Sequence, residues 1–326
     1  MLKILKTTID RGLLEQEKFV NGSWINAIDP TADEIARLVE WGIHPDLINY
    51  SLDRDEMPRM ERDEDEDYVF ILLRIPHFQG DTNDIPYATA PVGIVIKSNM
   101  VATIGKFDSD IFRTLTNGKY RLLRTAKRYR FTLYMFLETA ARYLGHLREI
   151  NKKVDGLEDQ LQKSTRNREV LELLKYQKSL TFFATALRSN EVMMERIQRT
   201  RMFNQYEEDQ DLLEDVITEN QQAIQMVNTS TEILSSMMDA FASIISNNLN
   251  AVIKLLAALT IIVNLPTIVA SFYGMNVVGL PFADHPLAFY FVLGISLLLT
   301  AGPDILCTPL RLILSREIIS TGSKTT

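Results

Sequence analysis

The chain reads AVIKLLAALTIIVNLPTIVASFYGMN from Ala251 to Asn276, and eighteen of these residues, Leu255 to Phe272, form a run without a charge. A second run of eighteen uncharged residues extends from Pro286 to Pro303. A helix needs about 20 mostly apolar residues to cross a hydrocarbon layer of about 30 Å, so both runs are of membrane-spanning length. The alternative is a pair of buried core helices, but core helices are usually shorter and carry a polar stripe.

The charges around the two runs predict their orientation. The linker from Tyr273 to His285 contains no Lys or Arg, whereas the segment after the second run contains Arg311, Arg316 and Lys324. By the positive-inside rule the tail is cytoplasmic and the linker external. The residues from Met1 to Lys6 are too short an apolar run for a signal peptide, which agrees with a cytoplasmic N-terminal domain.

The overall composition excludes several classes of function. The net charge is -7, and an acidic chain is a poor partner for nucleic acid. The single cysteine, Cys307, cannot form an intrachain disulfide or a cysteine-based metal site. The four histidines are scattered, and no nucleophile elbow or phosphate-binding loop is recognisable, so we expect neither an enzyme nor an organic cofactor.

A long helix is predicted to lead into the first apolar run, because residues 206–250 contain neither Gly nor Pro. Its apolar residues recur every seven positions, which favours packing in a helical bundle or coiled coil. One heptad position contains Ile217, Ile224, Thr231, Met238, Ile245 and Val252, and the other contains Val227, Leu234 and Phe241, with Asn220 and Asn248 as interruptions.

A second row of residues follows another face of the same helix and is small and mostly polar. It contains Asp239, Ser243, Ser246, Asn250, Ile253, Ala257, Thr260 and Asn264, separated by alternating steps of 4 and 3 residues. Polar groups at membrane depth are costly unless they face protein or water. The row therefore predicts either the wall of a pore formed by several copies, with Ile253 and Ala257 at its least polar part, or polar contacts that hold helices together. Spacing alone leaves both open.

The first run ends in Phe272-Tyr273-Gly274-Met275-Asn276. This turn, at the outer end of the penultimate span and after a long heptad helix, resembles the signature of the CorA family of magnesium transporters. The resemblance extends over nearly the whole chain. It implies an α+β (mixed) cytoplasmic domain with a long helical stalk and two C-terminal transmembrane helices, in a CorA-like funnel.

The resemblance also implies a homopentamer in the cell membrane, driven by the membrane potential and gated by cytoplasmic Mg²⁺, with Co²⁺ and Ni²⁺ as further transported ions. Mg²⁺ is then both the transported and the regulatory ion. Gly274, Met275 and Asn276 correspond to the selectivity filter, Asn250 to an internal pore amide and Asp239 to an acidic ring. Asp215 corresponds to an acidic residue that binds regulatory divalent cations between subunits.

Three features depart from the commonest pattern of the family. Asp284 is the only acidic residue of the external loop, so attraction of cations to the outer mouth is expected to be weak. Pro266 stands ten residues before Asn276, a spacing found in one subset of the family. Asn264 occupies a pore position that is often apolar, which leaves the location of a hydrophobic gate open.

The densest acidic cluster is Glu61-Arg62-Asp63-Glu64-Asp65-Glu66-Asp67. The simpler interpretation is a solvated turn before a strand, because adjacent carboxylates rarely converge on one ion without a dedicated loop. The functional interpretation is a regulatory Mg²⁺ site made by Asp63, Glu64, Asp65 and Glu66 with Asp215 of a neighbouring subunit.

The N-terminal part alternates between strand-like and helix-like patterns. Strands are predicted at Phe19–Trp24, Tyr68–Ile75, Val92–Lys97 and Met100–Ile104. A capping box at Thr31 and Glu34 predicts a helix over Ala32–Trp41, and two long antiparallel helices are predicted over Lys119–Arg201, turning near Ser164–Asn167. The predicted organisation is a cytoplasmic sensor domain over 1–118, long helices and stalk over 119–250, a two-span domain over 251–310 with an external loop at 277–286, and a cytoplasmic tail over 311–326.

The sequence alone leaves two other functions open. One is a zinc transporter of the same superfamily, although the intact Gly-Met-Asn favours magnesium. The other is a membrane-anchored coiled-coil scaffold, in which the polar row only holds helices together. The partners expected for the leading hypothesis are other copies of the chain, the lipid bilayer and divalent cations.

Overall fold

The computed structural model of the chain describes residues 1–8, 12–120, 122–163, 167–203, 206–276, 281 and 285–299. The chain divides into two compact units, Met1–Phe241 and Ala242–Thr326. The domain boundaries predicted from the sequence, after residues 118, 250 and 310, differ from this division and stay predictions.

A seven-stranded mixed sheet forms the centre of the first unit. Its strands are β1 (Leu2–Thr8), β2 (Gly12–Gln16), β3 (Ser23–Ile28), β4 (Arg59–Asp63), β5 (Tyr68–Phe78), β6 (Tyr87–Lys97) and β7 (Met100–Gly105). They are arranged in the order β2-β1-β3-β7-β6-β5-β4. The β3–β7 pair is parallel, whereas the other neighbouring strands are antiparallel.

Both faces of the central strands are buried. In β5, Val69, Ile71 and Leu73 belong to one apolar core, whereas Phe70 and Leu72 belong to another. Successive side chains of a strand point to opposite faces, so a run of consecutive apolar residues is what a strand covered on both sides requires.

One face of the sheet is covered by α1 (Ala32–Glu40) and α2 (Pro45–Leu52). The predicted capping box is confirmed, because the Thr31 hydroxyl accepts from Glu34 N and the Glu34 carboxylate accepts from Thr31 N. Helix α2 begins with Pro45 in its first turn, where the missing N–H costs nothing.

The other face packs against α3 (Asp110–Thr116), α4 (Arg128–Lys163), α5 (Asn167–Arg199) and the start of α6 (Glu207–Tyr273). The two long helices predicted over Lys119–Arg201 are confirmed as α4 and α5. However, α4 begins nine residues later than predicted, because turns occupy the described residues between α3 and α4. The reversal predicted near Ser164–Asn167 falls on residues 164–166, which lie outside the described residues, and on Asn167, which begins α5.

Helix α6 packs against α4 and α5 through one face in the first unit. The buried residues of this face are Leu213, Val216, Asn220, Ala223, Val227, Ser230, Leu234 and Phe241. Three of them, Val227, Leu234 and Phe241, belong to the predicted heptad series, and they join the core formed with α4 and α5. Asn220, a predicted interruption, uses its amide to donate to Leu187 O at 3.4 Å. This part of the heptad pattern therefore serves packing within one chain.

In the second unit, α6 is followed by the described helix α7 (Ala288–Leu299). Among the described residues, α6 is the one helix long and apolar enough to cross a membrane, and α7 is shorter than a span requires. Residues 300–326 lie outside the described part. The predicted second span therefore stays a prediction.

The strand predicted at Phe19–Trp24 is wrong in its position, since β3 covers Ser23–Ile28. A turn precedes the strand, in which Gly22 has φ 82° and donates from its N–H to Asn99 O at 2.6 Å. Glycine adopts this left-handed conformation at little cost, so the extended pairing starts only after it.

Candidate functional site

The part of the polar row that belongs to the second unit is exposed. This holds for Ser243, Ser246, Asn250, Ile253, Ala257, Thr260 and Asn264. Partial burial in the described residues of α6 from 242 onward is confined to another set, Ala258, Ile262, Leu265, Pro266, Val269 and Tyr273. The helix in this unit thus has one partly covered face and one open face that carries the row.

The angular separation of the two faces follows from helix geometry. At about 100° per residue, the mean direction of the row from Asn250 to Asn264 lies about 150° from the mean direction of the partly buried set. Partial burial on α7 is also restricted, to Ala288, Val292, Ile295 and Ser296, which share one face. The row therefore points away from the side on which α6 is covered within one chain.

The two hydroxyls near the middle of the apolar run are satisfied by the backbone of α6. Thr260 Oγ1 donates to Leu256 O at 2.8 Å and Thr267 Oγ1 donates to Val263 O at 3.1 Å. Pro266 lies inside the helix and has no N–H to donate, yet α6 continues to Tyr273. A polar face can therefore persist at this depth without unpaired threonine donors.

The predicted filter turn begins where α6 ends. Gly274 N donates to Ala270 O at 2.9 Å and Met275 N donates to Phe272 O at 3.4 Å, which closes the last helical turn. A Cβ at Gly274 would lie 3.3 Å from Ala270 O, closer than most such contacts, so glycine suits the position.

A hydroxyl group connects the helix end to the following segment, since Tyr273 Oη donates to Pro281 O at 3.3 Å. Met275 and Asn276 are exposed. Asp284, the predicted attractor of cations in the external loop, lies outside the described residues. The structure thus places Gly274, Met275 and Asn276 at an exposed helix terminus, and their assignment as a selectivity filter stays a prediction.

The two predicted stalk carboxylates belong to the first unit and are both exposed on α6. Asp215 and Asp239 are absent from the buried face of the helix, which consists of other positions. Neither carboxylate is part of a metal site within one chain. The described residues contain no cluster of three or more His, Cys, Asp or Glu suited to hold an ion. A site shared between copies is not tested by a single chain.

The acidic run covers the end of β4 and the hairpin turn that connects β4 to β5. Asp63 Oδ1 accepts from Asp65 N at 2.9 Å and from Glu66 N at 3.0 Å, so this carboxylate stabilises the turn. Glu64 pairs with Arg62 at 3.1 Å, and both side chains are exposed. The simpler interpretation, a solvated turn, therefore explains these carboxylates within one chain, and the shared regulatory site remains a prediction.

Sequence reasoning missed a buried ion-pair cluster where α4 and α6 begin. Arg130, whose side chain is 7% exposed, donates from Nη1 to Glu208 Oε2 at 2.7 Å and from Nε to Asp209 Oδ1. Burial opposes the charged guanidinium, but the hydrogen bonds to both carboxylates outweigh it and raise the pKa of Arg130. The signal in the sequence is the triplet Glu207-Glu208-Asp209, which also suits a helix N-terminus.

A sheet-and-helix unit whose last helix continues as a membrane-length apolar segment is the arrangement expected of a helical membrane protein with a folded domain outside the bilayer. The family model described as "CorA-like Mg2+ transporter protein" matches residues 21–306. The chain therefore belongs to the CorA-like Mg²⁺ transporter family. Membership supports a membrane location and a transport function, and it does not favour the zinc or scaffold alternatives.

Two curated relatives and one solved structure illustrate the similarity. The chain is 31% identical over 287 residues to a cobalt/magnesium transport protein CorA of Methanocaldococcus jannaschii, covering 85% of this chain and 86% of that protein. It is 25% identical over 281 residues to the protein of the same name from Thermotoga maritima, covering 85% of this chain and 79% of that protein. The complete structure of the CorA magnesium transporter from Methanocaldococcus jannaschii superimposes with a TM-score of 0.79 at 25% identity, over 92% of this chain and 95% of that one.

Proposed function

We propose that the chain is one subunit of a homopentameric Mg²⁺ channel that is driven by the membrane potential and gated by cytoplasmic Mg²⁺. Co²⁺ and Ni²⁺ are proposed as further transported ions, and the name of the curated relatives supports the first of these. Two charges that cross a potential of 100 mV gain about 4.6 kcal/mol, so uptake needs no chemical energy source.

The observation that supports this function best is the position of the polar row on α6. The row lies on the open face of the helix, about 150° from the partly covered face. When several copies surround an axis, their open faces can meet around water. The amides of Asn250 and Asn264 and the hydroxyl of Thr260 then line the path, and Asp239 forms an acidic ring at its cytoplasmic end.

The chemistry of the row suits a hydrated dication. Mg²⁺ dehydrates reluctantly and prefers oxygen ligands, so neutral amide and carbonyl oxygens can hydrogen-bond its water shell without removing it. Rings of Cys or His would hold softer metals too tightly for release. We assign the filter to Gly274, Met275 and Asn276, and the least polar section, where the water column can break, to Ile253 and Ala257.

Regulation is proposed to depend on carboxylates of two neighbouring subunits. Asp215 of one copy and the hairpin residues Asp63, Glu64, Asp65 and Glu66 of the next would share a cytoplasmic Mg²⁺ that holds the stalks closed. The exposure of Asp215 supports this assignment, because a carboxylate buried within its own chain could not reach a second copy. In this proposal the chain crosses the membrane twice, and both its N-terminus and its C-terminus are cytoplasmic.

A flux assay in liposomes tests the pore. Asn276→Ala is expected to abolish Mg²⁺ uptake, and Asn250→Ala to reduce it, without dissociating the oligomer on a sizing column. Asn248→Ala is the matched control, because this exposed amide lies on α6 only two residues from Asn250 but off the row. Equal losses in Asn250→Ala and Asn248→Ala would refute the assignment of the row, and faster Zn²⁺ than Mg²⁺ uptake would refute the ion.

A second assay tests regulation. Asp215→Asn is expected to weaken the inhibition of uptake by Mg²⁺ on the cytoplasmic side, because one charged ligand is lost. Asp211→Asn, an exposed carboxylate one helical turn earlier, is the control and should leave inhibition unchanged. Unchanged inhibition in Asp215→Asn would show that the regulatory ion binds elsewhere.

A further inference from the structure

A polar cavity of about 290 Å³ lies within the first unit, beside the hairpin turn of the acidic run. Three segments form its walls: the β4–β5 turn, the β6–β7 turn and the first turn of α4. The side chains of Tyr68, Tyr129 and Met202 add less polar surface to it. All of these residues belong to one chain, so the cavity does not require an oligomer.

The cavity contains charges of both signs. The positive ones are Arg62, Lys97 and Arg128, and the negative ones are Asp63, Glu64 and Asp67. Arg62 and Glu64 pair with each other at 3.1 Å, and Asp63 is engaged in the hairpin turn. This leaves Lys97, Arg128 and Asp67 as the charges that determine what the cavity can bind.

The two remaining cations have only backbone oxygen partners in the described part of the chain. Lys97 Nζ donates to Gly42 O at 3.1 Å and to Glu66 O at 2.9 Å. Arg128 Nη1 donates to Ser98 O, and the buried Arg128 Nε has no hydrogen-bond partner among the described residues. Neither cation has a carboxylate within ion-pair distance there, so the charges of both can act on an anionic ligand in the cavity.

The third charge favours a metal ion. Asp67 Oδ2 accepts from Ser98 N at 3.3 Å. Hydrogen bonds from Ser98 lower the pKa of the Asp67 carboxyl, and the nearby charges of Lys97 and Arg128 lower it further, so the group is ionised at neutral pH. A bare phosphate would meet this carboxylate as a like charge, whereas a bare Mg²⁺ would meet two unpaired cations.

A ligand that combines both charges satisfies all three residues. We propose that this cavity binds the magnesium complex of a di- or triphosphate, with Asp67 toward the metal and with Lys97 and Arg128 toward the phosphate oxygens. Mg²⁺ in proteins commonly takes one or two carboxylates together with phosphate oxygens and keeps several waters. The guanidinium of Arg128 matches the geometry of phosphate oxygens, and Lys97 acts as a point charge. The cavity accommodates the polyphosphate group, and the tyrosine surface is available to an organic part.

Calorimetric titration of the purified full-length protein in detergent tests this proposal. The probes are magnesium pyrophosphate, magnesium ATP, MgCl₂ alone and pyrophosphate with EDTA. We expect magnesium pyrophosphate to bind more tightly than either component alone. Tighter binding of magnesium ATP than of magnesium pyrophosphate would identify a nucleotide as the source of the phosphates, and equal binding would identify the polyphosphate group itself.

Three variants separate recognition from general electrostatics. Arg128→Gln should weaken the binding of magnesium pyrophosphate about tenfold, as expected for losing hydrogen bonds to a charged group. Arg124→Gln removes the same charge outside the cavity lining and should leave affinity within about twofold. If Arg128→Gln lowers the melting temperature of the protein, Lys97→Gln is used in its place and should likewise weaken the binding of magnesium pyrophosphate.

The sharpest variant is Asp67→Asn. Asp67 has φ 51°, a conformation that Asn also tolerates, so the turn is kept. This variant should bind magnesium pyrophosphate more weakly and metal-free pyrophosphate more tightly than the unchanged protein. The proposal is overturned if pyrophosphate adds nothing to Mg²⁺ binding, if Arg124→Gln is as damaging as Arg128→Gln, or if Asp67→Asn weakens both forms of the ligand alike. Ion flux plays no part in these measurements, so they stand apart from the proposed channel function.

Discussion

Gly93→Ala is expected to destabilise the first unit because no space exists for even one methyl group. Gly93 lies in the middle of the sheet, where β6 pairs with Leu72 of β5 and Ile104 of β7. A Cβ at this position would lie 1.7 Å from Ser51 Oγ and 2.7 Å from Ser51 Cβ. Ser51 is fully buried in α2 and donates to Leu47 O at 2.6 Å, so it cannot rotate away freely.

The magnitude follows from these contacts. Overpacking a filled core costs about 1–3 kcal/mol, and more when the backbone must move. Because the clash involves a Cβ attached directly to the backbone of α2, we expect a loss of about 3 kcal/mol in the free energy of unfolding. Ser51→Ala removes only the hydroxyl contact and leaves the 2.7 Å contact of the Cβ, so it should restore part of the loss.

Urea unfolding followed by tryptophan fluorescence measures this effect. The two tryptophans, Trp24 and Trp41, both belong to the first unit. Ser51→Gly alone should cost about 0.5 kcal/mol of helix propensity, yet the pair Gly93→Ala with Ser51→Gly should be more stable than Gly93→Ala. A Gly93→Ala protein within about 0.5 kcal/mol of the unchanged protein, or a pair no more stable than Gly93→Ala, would contradict the reasoning.

Three further predictions follow from the first unit. Gly145→Ala should raise the free energy of unfolding by about 1 kcal/mol in the same urea assay, because its Cβ would meet nothing within 4 Å inside α4. Burial and the charge of Arg54 lower the pKa of His77 in the folded protein below its usual value of 6.5. The unfolded chain therefore binds the proton more readily, and the free energy of unfolding falls as the pH decreases below about 6.5. His77→Gln should flatten this decline in unfolding curves recorded from about pH 7.5 to 5.5. Asp209→Leu should cost about 3 kcal/mol in thermal unfolding, because Arg130 would keep only the exposed Glu208 as a partner, and an unchanged melting temperature would contradict it.

The parts of the fold that could be predicted from the sequence are those set by local chemistry. The capping box of Thr31 and Glu34 is a contact between residues three positions apart, and the two long helices follow from a composition rich in helix formers. The strand near Trp24 begins later than predicted because the turn at Gly22 precedes it, and its far end at Ile28 is set by parallel pairing with β7, 77 residues further along the chain. Such pairing leaves little trace in the nearby sequence.

The same distinction applies to the site. The polar row was predictable because its spacing is a property of one helix, and the structure leaves that row exposed. The cavity beside Asp67 was not predictable, since Lys97 and Arg128 come from separate elements and meet only after the sheet and α4 have packed. The acidic run has the composition of a metal site, although within one chain Asp63 accepts hydrogen bonds that stabilise a turn.

The location of that charged run in the sheet has a consequence for aggregation. Strand β4 is an edge strand of the sheet. It is five residues long and has the sequence Arg59-Met60-Glu61-Arg62-Asp63. The unpaired backbone groups of an edge strand can pair with a strand of another molecule. Strand β4 is short and carries charges of both signs, and both features discourage this pairing. Replacing these charges with apolar residues would therefore promote intermolecular sheet growth, even though the interior of the protein would be unchanged.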